Sequence, residues 1–182
     1  MFEITIPATE YWDSKNQEFV YTKEQTLRLE HSLVSLARWE SKWCKPFISD
    51  KGLTREETID YIKCMTITQN VDDQVYNRLT QDHINKIRNY MELPMTATYF
   101  TENGKGKSRS NSEQITAEII YYWMIALNIP MECQKWHLNR LLTLVRVCNI
   151  KNQPPKKMSK REILSRNAAL NAARRQQLNT KG

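Results

Sequence analysis

The chain has 182 residues and a formal net charge of +7, and 40% of it is apolar, including five Trp, eight Tyr and seven Met. That composition is globular, and only four glycines leave little material for phosphate-cradling loops, tight β-turn arrays or a dinucleotide fold. The charge is segregated: residues 151–182 carry nine basic residues against Glu162 alone, a net +8, whereas residues 1–150 carry 18 basic and 19 acidic residues, a net −1. A basic arm on a neutral body points to a polyanion or an acidic protein as partner, not to a buried active site.

A body of 150 residues can bury roughly 70% of the surface its unfolded chain exposes, so one domain (1–150) plus an arm (151–182) is the expected division. The N-terminus lacks a basic stretch followed by an apolar one, and no apolar run approaches membrane-spanning length, so a soluble intracellular protein without a membrane partner is expected. Phe2, Ile4 and Ile6 alternate with Glu3 and Thr5, and Phe19-Val20-Tyr21 follows a turn-like stretch. This predicts a strand pair over 1–21.

From residue 22 to 150 the period reads as helical. Leu29, Leu33, Leu36 and Trp43 share a stripe widened by Leu27, Val34 and Trp39, with His31 inside the same helix as a surface or half-buried neutral side chain, and Pro46 stops it. Thr54 with Glu57 forms a capping box ahead of Ile59, Ile62 and Met65. Asp72 and Asp73 can cap a short helix holding Val75, Tyr76 and Leu79, and Thr80 can cap the next, which Pro94 closes.

The segment 100–112 holds two of the four glycines and reads as a mobile surface loop. Ser110 with Glu113 is a second capping box ahead of Ile115, Ile119, Tyr122, Trp123 and Leu127, and Pro130 opens a central helix through Trp136, Leu141 and Val145 to Cys148. Ser159 with Glu162 is a third box, starting an Ala- and Arg-rich helix to about Leu178. The predicted fold class is mainly α: a compact helical domain with a short N-terminal β-hairpin and a basic C-terminal helical arm.

Residue constellations for chemistry are sparse. Cys133 and His137 stand one helical turn apart, a spacing that lets two side chains reach one zinc ion, but a structural site needs two more ligands and no CxxC pair exists. Core Cys and His is the favoured reading, and Cys44, Cys64, Cys133 and Cys148 read as buried reduced thiols. No Cys–His pair has an orienting Asn or Asp beside it, and the carboxylates fall at helix starts. Lys105-Gly-Lys107-Ser108 lacks the upstream glycine of a phosphate loop. A non-enzyme without metal or cofactor is expected.

The aromatic residues are in surplus. Trp39 and Trp43 are i,i+4, and Tyr121-Tyr122-Trp123 places rings on two helix faces, so not all of them can enter one core. The partner-binding candidates are therefore Trp39, Trp43, Tyr121 and Trp123, with core packing the competing reading for any single ring. The basic candidates are Lys156, Lys157, Lys160, Arg161, Arg174 and Arg175, which suit nucleic-acid phosphates or an acidic helical protein.

The segments LVSLARWESKW at 33–43 and PMTAT at 94–98, and residues 115–182 with NIKNQPPKKM at 149–158, resemble a small protein of long-tailed bacteriophages. The likeness extends over most of the chain. It is to the tail-gene region, in particular to tail-assembly chaperones, helical proteins of the host cytoplasm that hold the tape-measure protein while the tail tube polymerises around it. The resemblance implies a non-catalytic protein that binds the tape-measure protein or another tail or neck protein; a second copy of the chain and, from the charge of the arm, nucleic acid are the further candidate partners. A neck or tail subunit of the virion is the alternative, and a nucleic-acid-binding phage protein the second. No site residue is implied by the resemblance, because such chaperones have no catalytic residues.

Overall fold

Strict alternation builds the N-terminal region. In the computed structural model, which describes residues 1–13, 17–49, 52–100, 114–153 and 159–179, four strands are nested: β1 (Phe2–Ile6), β2 (Thr9–Asp13), β3 (Glu18–Thr22) and β4 (Gln25–Leu29). β1 pairs antiparallel with β4, Ile4 opposite Leu27, and β2 pairs with β3, Trp12 opposite Phe19. The expectation of helix from residue 22 is corrected here. Leu27 and Leu29 are completely buried while Thr26 and Arg28 face outward, a period of two that suits a strand. The outer edge of β4 is covered by the segment after α2, with Glu30 N–H donating to the Met65 carbonyl at 2.9 Å and Ile67 N–H to the Arg28 carbonyl at 2.8 Å.

The helices begin where capping side chains are present. α1 (Leu33–Trp43) starts at Ser32, whose hydroxyl accepts from Ser35 N–H, and ends at Cys44 in the left-handed region with φ 51°. α2 (Arg55–Met65) opens with the reciprocal Thr54–Glu57 box. α3 (Gln74–Asn77) is a single turn in which Asp72 Oδ1 accepts from Gln74 N–H at 2.9 Å, and α4 (Gln81–Glu92) is capped by Thr80.

α5 (Ala117–Ala126) has no side-chain cap from Thr116. Its Ala117 N–H instead donates to the buried Glu40 carboxylate at 2.7 Å, whose other oxygen takes Phe47 N–H at 2.8 Å. One carboxylate thus joins α1, the loop after it and the start of α5. The Ser110–Glu113 box, the 101–112 part of the loop and the Lys105–Ser108 stretch lie outside the described residues.

The single helix expected after Pro130 is two elements, a 3-10 helix (Met131–Lys135) and α6 (Leu138–Asn152). The break has a tertiary cause. His137 forms a β-bridge with Ser32, Leu138 N–H donates to the His31 carbonyl at 2.7 Å, and His137 Nδ1 accepts from Asn139 N–H at 3.3 Å, so His137 serves as the cap of α6.

Two compact units are defined, Met1–Asn149 and Ile150–Gly182. In the first, α1 is central and packs on α2, α5 and the 3-10 helix, burying Leu33, Leu36, Trp39, Tyr61, Ile62 and Ile120. The second contains α7 (Lys160–Leu178), started by the Ser159–Glu162 box, with every described residue exposed. The protein is mainly α, with short N-terminal β structure. No helix among the described residues is long and apolar enough to cross a membrane.

His31 and three of the cysteines depart from expectation. His31 stands outside α1 and is buried, 4% exposed, because β4 and α2 close over it. All four cysteines are free, yet only Cys133 is buried, Cys64 and Cys148 are half-buried, and Cys44 is exposed because it ends α1 beyond the core-facing stripe.

Candidate partner-binding surface

Trp39 is corrected from surface to core. Its ring is 0% exposed, its indole N–H donates to the Glu57 carbonyl at 3.1 Å, and Phe47 and Tyr61 meet it edge-on. An enclosed ring has nothing to offer a partner. Trp43, half-buried, stacks on Trp39 at 6.0 Å and donates to Asp60 Oδ2 at 2.9 Å, with the Lys45 ammonium 5.2 Å from its ring centroid. Lys42 pairs with Asp60, and Lys45 with Glu57. The hydrogen bond from Lys45 holds the Glu57 carboxyl below its ordinary range, and the one to Asp60 raises the Lys42 ammonium above its own. A groove of about 740 Å³ beside them is lined by Lys42, Trp43, Arg55, Glu56, Asp60 and Lys63. Two of its cations already have acidic partners, Lys42 with Asp60 and Lys63 with Asp73 at 2.9 Å.

α5 presents a different situation. Ile120 and Met124 point into the core with no exposure, and Tyr121 and Trp123 are half-buried flanks. The Tyr121 hydroxyl donates to Gln134 Oε1 at 2.9 Å, and burial raises it above the ordinary phenol range. On the far side Tyr122 and Ile125 are each 66% exposed, with Met131 at 44% just beyond the helix end. Reading the aromatics alone missed Tyr122 and Ile125. The signal was present: the run Ile119-Ile120-Tyr121-Tyr122-Trp123-Met124-Ile125 is apolar all round, and a helix at the edge of a domain can bury only one side of itself.

The β2–β3 hairpin carries a second uncovered patch. Trp12 and Phe19 are cross-strand partners in edge-to-face contact at 4.9 Å, and Tyr21 lies on the same face opposite Glu10. The three rings are 50%, 67% and 68% exposed. The hairpin is held to the body by Arg78, whose guanidinium donates to the Pro7 carbonyl at 2.9 Å and to Thr22 Oγ1 at 3.0 Å. Of the basic candidates, Lys160, Arg161, Arg174 and Arg175 are exposed on α7, while Lys156 and Lys157 lie outside the described residues.

The buried His31–Tyr61–His137–Tyr90 cluster is a closed joint. His31 Nδ1 meets the Tyr61 hydroxyl at 2.6 Å, the His31 and His137 rings lie edge to face at 5.2 Å, and His137 Nε2 donates to the Tyr90 carbonyl at 3.2 Å. The Tyr90 hydroxyl donates to Glu30 Oε1 at 2.7 Å, and Glu30 also receives the Met1 ammonium. Burial, with His137 adding to it, pushes His31 down to about 3. Burial likewise lowers His137 and raises Tyr61 and Tyr90, so all four are neutral at pH 7. The cluster ties β4, α2, α4 and α6 together and gives a substrate no access. Among the described residues no three His, Cys, Asp or Glu side chains gather as a metal site.

Comparison with protein-family models, with curated proteins and with solved structures finds no match.

Proposed function

We propose that the chain is a non-catalytic tail-assembly chaperone of a long-tailed bacteriophage, acting in the host cytoplasm on the tape-measure protein. The observation that carries this reading is the outward face of α5. Tyr122 and Ile125, three residues apart on the side of α5 away from the core, leave an exposed aromatic and aliphatic strip. A strip of that shape suits the apolar face of a long amphipathic helix, recognised at i, i+3, i+4 and i+7 spacing. The half-buried Tyr121 and Trp123 border it, and the exposed cations of α7 add attraction for acidic segments of the same partner. The resemblance of residues 33–43, 94–98 and 115–182 to the tail-gene region supports the tape-measure protein as the source of that helix.

The test is co-expression with the tape-measure protein of the same phage, followed by pull-down at low and high salt, using the whole chain and its Tyr122→Ser/Ile125→Ser variant. The expected result is a salt-resistant complex that keeps the tape-measure protein soluble and weakens at least tenfold in the variant. Recovery of the protein in finished particles without any tape-measure complex would favour a virion subunit. Binding that comes wholly from the arm and collapses with salt would favour nucleic acid.

A further inference from the structure

The exposed hairpin and the exposed arm are chemically complementary. The outer face of β2–β3 is aromatic and carries an acid, with Glu10 among Trp12, Phe19 and Tyr21; Glu18, exposed at the end of β3, belongs to the alternate face, and neither strand contains Lys or Arg. α7 is aliphatic and basic. At 3.6 residues per turn Ile163, Leu170 and Leu178 fall on the same side as Lys160, Arg174 and Arg175, while Ser165, Ala169, Ala172 and Ala173 occupy the other. Ile163 and Leu170 are 44% and 46% exposed.

We infer that α7 of one copy docks on the β2–β3 hairpin of a second copy, and that the two exchange arms reciprocally to form a dimer. Three considerations select this occupant. Guanidinium groups stack on exposed Trp, Tyr and Phe faces, and the arm brings Arg174 and Arg175 on the side that carries its aliphatic residues. The charges match in sign, with Glu10 on the aromatic face and Glu18 exposed at the strand end, against an arm whose only acid is Glu162, already engaged as the cap partner of Ser159. Both halves of the pair belong to every chain, so a reciprocal exchange closes on itself with two equal contacts and leaves neither surface open. Nucleic acid suits the arm less well. Residues 151–182 contain no Phe, Tyr or Trp to stack on bases, and tracking phosphates would leave Ile163, Leu170 and Leu178 in water. The contact leaves the α5 strip proposed for the tape-measure protein free, and only the cations of the arm are shared between the two partners.

The experiment is sedimentation equilibrium of the full chain at low and high salt, with circular dichroism confirming that each variant is folded. The wild type is expected to form dimers at low salt and to weaken at least tenfold at high salt. Trp12→Ser/Phe19→Ser should weaken association at least tenfold, as should an arm reversal (Lys160→Glu, Arg161→Glu, Arg174→Glu, Arg175→Glu) and a hairpin reversal (Glu10→Lys, Glu18→Lys). Mixing the two charge-reversed proteins should restore dimers, because each acidic arm then meets a basic hairpin and each basic arm an acidic one. That restoration should vanish when Trp12→Ser/Phe19→Ser is added to both. A chain that is monomeric at every concentration, association that nuclease treatment abolishes, or reversed variants that fail to rescue each other would each overturn the inference.

Discussion

Glu40 and His31 show how single buried groups hold distant segments together. The Glu40 carboxylate accepts two backbone N–H groups, from Phe47 and Ala117, and so replaces the cap that Thr116 does not supply. Nothing in the local sequence announces this, because the donors lie 7 and 77 residues away. Trp39 was ambiguous for a similar reason: i,i+4 spacing with Trp43 says the rings share a side of α1, not which neighbours cover that side. His31 carries a measurable consequence. Its ordinary value is 6.5 and burial takes it to about 3, so between those values the unfolded chain binds a proton that the folded chain does not. Its contribution is therefore complete above about pH 6.5 and is lost as pH falls toward 3, at a limiting slope of about 1.4 kcal/mol per pH unit. His137 is lowered as well and acts in the same sense. Urea denaturation from pH 7.5 down to 5 should show stability falling by about 2 kcal/mol from His31 alone. In His31→Gln the pH slope should be shallower by nearly one proton, whatever the variant's stability at pH 7.5. An unchanged slope would remove His31 from the titration.

At the scale of elements, those with local signals were readable and those set by distant partners were not. The Thr54–Glu57 and Ser159–Glu162 boxes and the Thr80 cap begin α2, α7 and α4 because a capping side chain needs only its own first turn. β4 was read as helix since Leu29, Leu33 and Leu36 also satisfy helical spacing. The pairing with β1 and the cover from residues 65–68 decide the matter, and both are remote in sequence. The break between the 3-10 helix and α6 was hidden likewise, because its cause is the His31 carbonyl. The hairpin's aromatic face was legible from alternation, but its anchorage was not. Arg78 reaches it from the end of α3 across more than 50 residues of sequence, adding a contact to the Lys23 carbonyl at 3.4 Å. Arg78→Ala removes these charge-assisted bonds from a two-stranded sheet that has little stability alone. Amide exchange in Thr9–Thr22 should accelerate at least tenfold, while α1 and α2 keep their protection and global stability falls by about 1–2 kcal/mol. Protection of the hairpin equal to the wild type would show that β2–β3 is held by something other than Arg78.

For the whole molecule, the decisive fact is where burial stops. Among the described residues the buried apolar core lies between Ile4 and Val145, and the partly buried side chains packed on it end at Cys148. α7 contributes none, its four large aliphatic side chains being 44% to 72% exposed. Composition alone anticipated this much, since five large apolar residues among nine cations in 151–182 cannot bury enough surface to offset the entropy of ordering a second core. Removing everything after Gln153 keeps the last turn of α6 and should leave the cooperative transition of the body in place. At high salt and micromolar concentration, where arm-mediated association is suppressed, the midpoint should shift by no more than about 2 °C, because about 0.5 kcal/mol or less is expected from deleting a segment whose described residues are all exposed. The measurement is calorimetric unfolding of the full chain and the shortened one under identical conditions. A broadened transition or a drop of 10 °C in the shortened protein would mean that the arm completes the body's core, and with it the division of the chain into a self-sufficient body and an arm would fall.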